Sequence, residues 1–410
     1  MWKIMSSVNL NDGFLLFDGK EYSVQPKLPG MAFTHITHSA AGSVNISHLM
    51  GLHGIDEDSI IVGPLPERVR NLSRKIAAGC RAYNHTHMNI EELNFDDLIP
   101  EVILDDYRRS RCQLTYDIAD ILSQRDEGHI SFLQDRIIPL YSILRNIEEF
   151  GIYHKTKGII KCRYNAIGTR TGRLTCSGPI NPLAIPHGEP RRQVIPREAD
   201  GKIIQFDFSA MDFRSALYSA GYNVSDYNDL YAYIAKTVGI TLPRDKVKTF
   251  ILSWMYGISP KNASKMLGIS ILDVQKYMRA FYHEFPLLQE QQERVGNLIE
   301  NNGMFRNSYG RPIYIDDARK AYANLIQSES ADICIDAYIA VYNLLKEYPY
   351  LKIVMLCHDA IIIESMKKFN VNNFEITKIK NVMENIIEGR KYPIKISIGN
   401  NYEELKEIQV

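Results

Sequence analysis

Two runs of apolar residues that each lead into an acid constrain this chain more than any other feature. KIIQF ends at Asp207, and KIVMLCH ends at Asp359, which is followed at once by the apolar AIII. Runs of this length, rich in Ile and Val, read as buried strands, and LKIVMLCHDAIIIE reads as two strands around a polar tip. A lone acid at a strand end is commonly a turn residue. Two of them matter more, because antiparallel strands lying side by side bring both carboxylates to one point. Hard divalent ions such as Mg²⁺ are bound by one or two carboxylates plus substrate phosphates. A pair of such ions lowers the pKa of an attacking hydroxyl and stabilises a leaving group.

The rest of the pattern sets these strands among helices. FLLFDGKEYSV predicts a hairpin through Asp18-Gly19, and ERVRNLSRKIAAGCRAY predicts a helix. From about Asp105 to Phe150 the apolar spacing is helical, with Pro139 expected to kink or end a helix. GKIIQFDF is followed by a helix in SAMDFRSALYSAG. Further helical segments reach about Asn301, punctuated at Asn223 to Ser225, Pro243, Gly257 to Pro260 and Pro286. MFRNSYGRPIYI predicts a hairpin turning at Tyr309-Gly310. A long helix is expected from about Ala318 to Glu347, another near Asn373 to Glu388, and a last strand in YPIKISIG. Strands dispersed among long helices make the class α+β.

The 410 residues leave room for two or three domains, and 45% hydrophobic side chains suffice for proper cores. The six cysteines (Cys80, Cys112, Cys162, Cys176, Cys334, Cys357) form no CxxC pair and no finger spacing, so neither a disulfide framework nor a structural zinc is suggested. The start of the chain lacks the pattern of a signal peptide, and no run of apolar residues is long enough to span a bilayer. No membrane partner and a cytoplasmic setting are therefore expected. The 48 basic and 48 acidic residues cancel, which argues at first against nucleic acid. Their distribution answers the objection: Lys155, Lys157, Lys161, Arg163, Arg170 and Arg173 fall in a stretch, up to His187, that holds no acid.

A second constellation lies in PRDKVKTFILSWMYG, where Arg244, Lys248, Leu252 and Tyr256 recur every four residues. On a helix they form one slowly drifting stripe, with Pro243 suited to its first turn. Two cations, then an apolar and an aromatic residue, would present charge to a triphosphate and a surface to a sugar and base.

Taken together and in order, these segments resemble the family A (polymerase I type) DNA polymerases. GTRTGRLTCSGPINPLAIP is similar to the family's TGRLSS…P-N-L-Q-N-I-P, and FDFSAMDFR resembles motif A, D-Y-S-Q-I-E-L-R. RDKVKTFILSWMYG fits motif B, R-x-x-x-K-x-x-x-F/Y-x-x-x-Y-G. ANLIQSESADI resembles N-A-P-I-Q-G-T-A-A-D-I, LCHDAIIIE resembles motif C, and YPIKISIGNNYEE resembles the family's last strand. The resemblance runs from about residue 150 to the end.

It implies a right-hand polymerase fold: an antiparallel palm sheet, helical fingers and a short helical thumb, with a small N-terminal α/β domain. The expected divisions are 1–104 for that domain, 105–160 for a thumb-like region, 161–221 and 303–410 for the palm, and 222–302 for the fingers. It implies a template-directed, primer-dependent enzyme that adds dNTPs through two Mg²⁺ ions, with Mn²⁺ as a substitute. Primer-template DNA, dNTPs and other replication proteins are the implied partners. Asp207, Asp359 and the main-chain carbonyl of Phe208 become the metal ligands. Arg244 and Lys248 become triphosphate contacts, Lys248 also the acid for the departing pyrophosphate. Tyr256 and Gly257 fall where the template base enters, and Asp212 takes the place of the acid that blocks a ribose 2′-hydroxyl. Arg173 corresponds to the arginine at the primer terminus, and Arg319, Gln327 and His358 to duplex contacts.

The departures from the pattern are informative. Asp212 stands where Glu is usual, Leu252 replaces an aromatic, Ala360 replaces the second acid of motif C, and Tyr231 falls where bacterial members carry a His. Ahead of TGRL no D-x-E of a proofreading exonuclease appears, so residues 1–104 are expected to lack nuclease activity. The compact form suggests a phage replication enzyme by analogy. Two rivals stay open: a single-subunit RNA polymerase, and a catalytically silent polymerase fold that serves as a DNA-binding scaffold.

Overall fold

The computed structural model describes residues 4–10, 13–17, 22–25, 34–37, 44–45, 132, 136–166, 169–315, 317–366 and 374–409. The chain divides into two compact units, Met1–Ser142 and Ile143–Val410. In the first, β1 (Ile4–Leu10), β2 (Gly13–Phe17), β3 (Tyr22–Gln25), β4 (Thr34–Thr37) and β5 (Val44–Asn45) form a sheet in the order β3-β2-β1-β4-β5. The sheet is mixed, since β2 pairs antiparallel with β1 and β3 while β4 runs parallel to β1 and β5. The hairpin expected in FLLFDGKEYSV is present, with Phe17 opposite Tyr22. The helix expected in ERVRNLSRKIAAGCRAY and the boundary at 104/105 lie outside the described residues, as does most of the expected thumb-like region.

Helix α1 (Ile138–Phe150) becomes α-helical only beside Pro139, directly after a π-helical turn at 136–137, the local break that a missing N–H imposes. Two short hairpins follow, β6 (Ile152–His154) with β7 (Gly158–Ile160) and β8 (Arg163–Asn165) with β9 (Thr175–Ser177). They fall in the basic stretch, where strands this short show no periodicity to read. A short helix, α2 (Glu189–Arg192), precedes β10 (Lys202–Phe208).

The main sheet of the second unit is antiparallel throughout. Its order is β13 (Leu351–Cys357), β14 (Ala360–Ser365), β10, β15 (Ile394–Gly399) and β16 (Lys406–Ile408). Strand β14, flanked by β13 and β10, is buried at every position, which explains its unbroken apolar run. Ile203, Ile362, Val354 and Met355 of this sheet share a core with Ile152, Ile160 and Val194.

Between β10 and β11 the chain is helical: α3 (Met211–Ser219), α4 (Leu230–Val238), α5 (Arg244–Met255), α6 (Pro260–Leu267), α7 (Ile271–Glu284) and α8 (Pro286–Asn302). Their ends follow capping chemistry. Asp229, Ser259 and Ser270 accept hydrogen bonds from backbone N–H groups at the starts of α4, α6 and α7, while Gly239 and Gly268 end α4 and α6. The hairpin β11 (Met304–Arg306) and β12 (Pro312–Tyr314) then leads to α9 (Ala321–Leu344), extended at both ends by short 3₁₀ turns. Helix α9 is buried along most of its length and packs against α3, α8 and α10 (Phe374–Glu384).

Candidate active site

Strand pairing brings the two acids together as the apolar runs imply. Asp207 lies opposite Ala360 of β14 and opposite Lys395 of β15, so all three share one face of the sheet. Asp359 directly precedes Ala360, and its carbonyl accepts from the Phe208 N–H at 3.2 Å. Only Ala210 (φ 56) and His358 (φ 54) among the described non-glycine residues have positive φ, and they flank these acids. Such conformations persist where surrounding structure imposes them. Here the buried Tyr338 hydroxyl donates to the His358 carbonyl and pins the turn.

Both carboxyls are buried beside another acid. Burial, and then the charge of Asp359, push Asp207 up to about 7, while Lys395 and Lys248 pull the other way. Asp359 is raised by burial and then by Asp212, with Arg173 and His358 opposing. Buried carboxyls raised by burial and by a neighbouring acid mark candidate functional sites, and a bound divalent cation would favour the carboxylate form of each. The donor set therefore fits a hard metal ion. Ala360, 4% exposed, offers no further ligand.

A second cluster gathers around Asp212 on the first turn of α3. Its Oδ2 accepts from Arg173 Nη2 at 2.7 Å and from the Tyr256 hydroxyl at 3.1 Å. Burial and then Asp212 raise the pKa of that tyrosine hydroxyl, and Gln327 of α9 opposes the rise. The other oxygen, Oδ1, is buried with no partner among the described residues. A narrow crevice lined by Arg173, Asp212, Cys334, Tyr338, His358 and Asp359 joins this cluster to Asp359.

The motif-B stripe is real: Arg244 and Lys248 are exposed, Leu252 is half-buried, and Tyr256 caps the helix at 37% exposure. Arg244 Nε donates to Asp229 Oδ2 at 2.6 Å, and its guanidinium lies 5.6 Å from the ring centre of Tyr231. That ring is buried and stacks on Phe213; burial, then the Asp212 charge, push its hydroxyl up to about 12, so it stays a donor. Gly257 (φ +68) passes close to the Arg319 carbonyl. Arg319 itself is 87% exposed and paired with Asp317 at 3.0 Å, outside the clusters around the acids.

Sequence reasoning missed the groups that brace the site. Arg311 and Asp332, both fully buried, form a two-pronged ion pair at 2.9 and 2.7 Å, and Asn307 donates to the same carboxylate at 2.7 Å. Gly172 lies on the Arg311 guanidinium: a Cβ there would come within 2.2 Å of Cζ. Arg214, also fully buried, donates to the carbonyls of Ser209, Val224, Tyr227 and Asn228, fixing the segment that leads into α4. Only the polar residues inside otherwise apolar stretches hinted at these braces.

Residues 141–404 match the family model of DNA polymerase family A. The chain belongs to DNA polymerase family A. Among its relatives are DNA polymerase I of Caldicellulosiruptor bescii, 25% identical over 283 residues that make up 61% of this chain and 33% of that protein. Another is the thermostable DNA polymerase I of Thermus aquaticus, 21% identical over 290 residues, 62% of this chain and 34% of that one. DNA polymerase theta of Caenorhabditis elegans is 23% identical over 272 residues, 61% of this chain and 16% of its own. The matched region thus spans about a third of the bacterial relatives' length. The fold is that of the POL domain of Pol1 from M. smegmatis, solved in complex with DNA primer-template and dNTP. The TM-score is 0.70 at 14% identity, covering 97% of this chain and 95% of that one. The family read from the motifs and the mixed polymerase fold are both borne out. Among the described residues no helix is long and apolar enough to cross a membrane.

Proposed function

We propose that this family A chain is a primer-dependent, template-directed DNA polymerase that adds dNTPs at Asp207 and Asp359. The observation that supports this reading is the register of β10 and β14, in which Asp207 lies opposite Ala360, the residue after Asp359, and the charges of Asp359 and Lys248 both act on Asp207. Membership of the family and the likeness to a fold solved with primer-template DNA and dNTP support it.

In this reading Asp207, Asp359 and the Phe208 carbonyl would hold the metal ions. Mg²⁺, with Mn²⁺ as a substitute, would supply Lewis-acid activation of the primer hydroxyl and neutralise phosphate charge. The primer 3′-oxygen, its proton lost to solvent, bonds to the α-phosphorus as the bond to pyrophosphate breaks. Lys248 Nζ donates a proton to that leaving group, and Arg244 holds the triphosphate from the head of α5. Asp212, tied to Arg173 and Tyr256, closes the space beside the sugar, and Arg173 aligns the primer end. Gln327, Arg319, His358 and Gly257 face duplex and template. Positioning and electrostatic stabilisation supply the catalysis, as phosphoryl transfer requires.

Primer extension on a labelled hairpin, with dNTPs set against NTPs, tests the assignment. Asp207→Ala and Asp359→Ala are expected to abolish addition while retaining most duplex affinity, because phosphate contacts dominate that affinity. A parent protein that binds DNA but adds no nucleotide in Mg²⁺ or Mn²⁺ would favour the silent scaffold, a reading prompted by Ala360, Leu252 and the altered front of the chain.

A further inference from the structure

The cation at the head of α5 is already held. Asp229 Oδ2 accepts from Arg244 Nε at 2.6 Å, while Asp229 Oδ1 accepts from the Ala232 N–H at 3.2 Å and caps α4. One carboxylate therefore ties together the openings of two helices. Its own backbone has a firm base, since the buried Arg214 donates to the Asn228 carbonyl at 3.1 Å and to that of Tyr227. The Tyr231 ring supports the guanidinium from one side.

Which atoms are used matters. The bond to Asp229 employs only Nε, and among the described residues no other acid pairs with Arg244. Both terminal nitrogens remain available to phosphate oxygens, which a guanidinium fork can bind two at a time. A free arginine side chain loses rotamer freedom when it binds, and a guanidinium already held in place loses less. We propose that Asp229 is a positioning residue for Arg244, fixing it for the incoming nucleotide's triphosphate. The inference rests on the reading of Arg244 as a triphosphate contact.

The test uses the full chain in single-nucleotide incorporation with a double-mutant cycle. Asp229→Asn keeps a good capping oxygen while removing the charge, and Asp229→Ala removes both. In the Arg244 background of the parent, Asp229→Asn is expected to raise the dNTP KM about three- to tenfold, the range for freeing one such side chain, with kcat little changed. Combined with Arg244→Ala it should add nothing further. A loss confined to Asp229→Ala and equal in both backgrounds would reduce Asp229 to a helix cap, and an unchanged KM in both variants would remove its role altogether. A lowered KM would mean that the carboxylate competes with phosphate, which overturns the proposal as well. A parent-like KM in Arg244→Ala alone sinks the triphosphate reading, and with it the inference; that arm tells the two failures apart.

Discussion

Replacing Gly172 with alanine should damage both stability and turnover. The glycine sits at φ +79, in the left-handed region where an L side chain is strained. A Cβ there would meet Arg311 Cζ at 2.2 Å, Nη2 at 2.5 Å and Nη1 at 2.6 Å. A flexible arginine on the surface could swing away. This one cannot, because Asp332 grips it from two nitrogens and both side chains are fully buried. Backbone strain of about 1–2 kcal/mol adds to about 1–3 kcal/mol for overpacking a filled site. The expected loss is thus roughly 2–5 kcal/mol, a large part of an ordinary domain's stability. Urea unfolding gives the number from the midpoint shift at constant slope. Extension kinetics give the second readout: Arg173 follows Gly172 directly and holds Asp212, so kcat should fall more than duplex affinity. A Gly172→Ala protein within about 0.5 kcal/mol of the parent, the range of an indifferent surface change, would refute the reasoning.

Other outcomes follow from the same geometry. The folded protein holds the Asp207 proton up to about 7 against an ordinary 3.8, so metal-free stability falls as pH rises between those values. Asp207→Asn should therefore be the more stable protein in EDTA at pH 8, by roughly 1–3 kcal/mol after allowing for solvent screening, with the gap closing near pH 4. A parent at least as stable as the variant at pH 8 contradicts this. Asp212→Ala should cut the preference for dCTP over CTP by roughly 10–200-fold, and an unchanged ratio in single-nucleotide kinetics would leave Asp212 no part in sugar choice. No 3′→5′ shortening of single-stranded DNA is expected, since IMSSVNL of β1 carries no acid. Metal-dependent degradation that survives in Asp207→Ala would reverse that expectation.

What could be read in advance was what the chain writes locally. The strands at Asp207 and Asp359 announce themselves because a buried strand must be apolar on both faces. The helices from α4 to α8 do so because Ser, Asp, Gly and Pro sit where free N–H and C=O groups need them. The turn at Tyr309-Gly310 and the long helix after it belong to the same class. The braces are different. Arg311 and Asp332, or Arg214 and the carbonyls ahead of Asp229, are polar groups whose burial is tolerated only because tertiary packing supplies partners. A sequence shows such residues without their partners, so each could have been a surface charge.

Asp212 shows how that difference changes a functional expectation. As a sequence departure it is one methylene shorter than the usual acid, and with Leu252 replacing an aromatic it implies a less complete wall beside the sugar. In the fold the short carboxylate is met by two long side chains, Arg173 at 2.7 Å and Tyr256 at 3.1 Å. Tyr256 also lies one helical turn beyond Leu252, so an aromatic stands at the same end of the stripe. The rigidity of the proposed gate then comes from its partners instead of from its length. One consequence separates these accounts. If reach alone matters, Asp212→Glu sharpens sugar selection and Tyr256→Phe leaves it unchanged; if the tether matters, Tyr256→Phe weakens selection because it removes one of the two hydrogen bonds that aim Asp212 Oδ2.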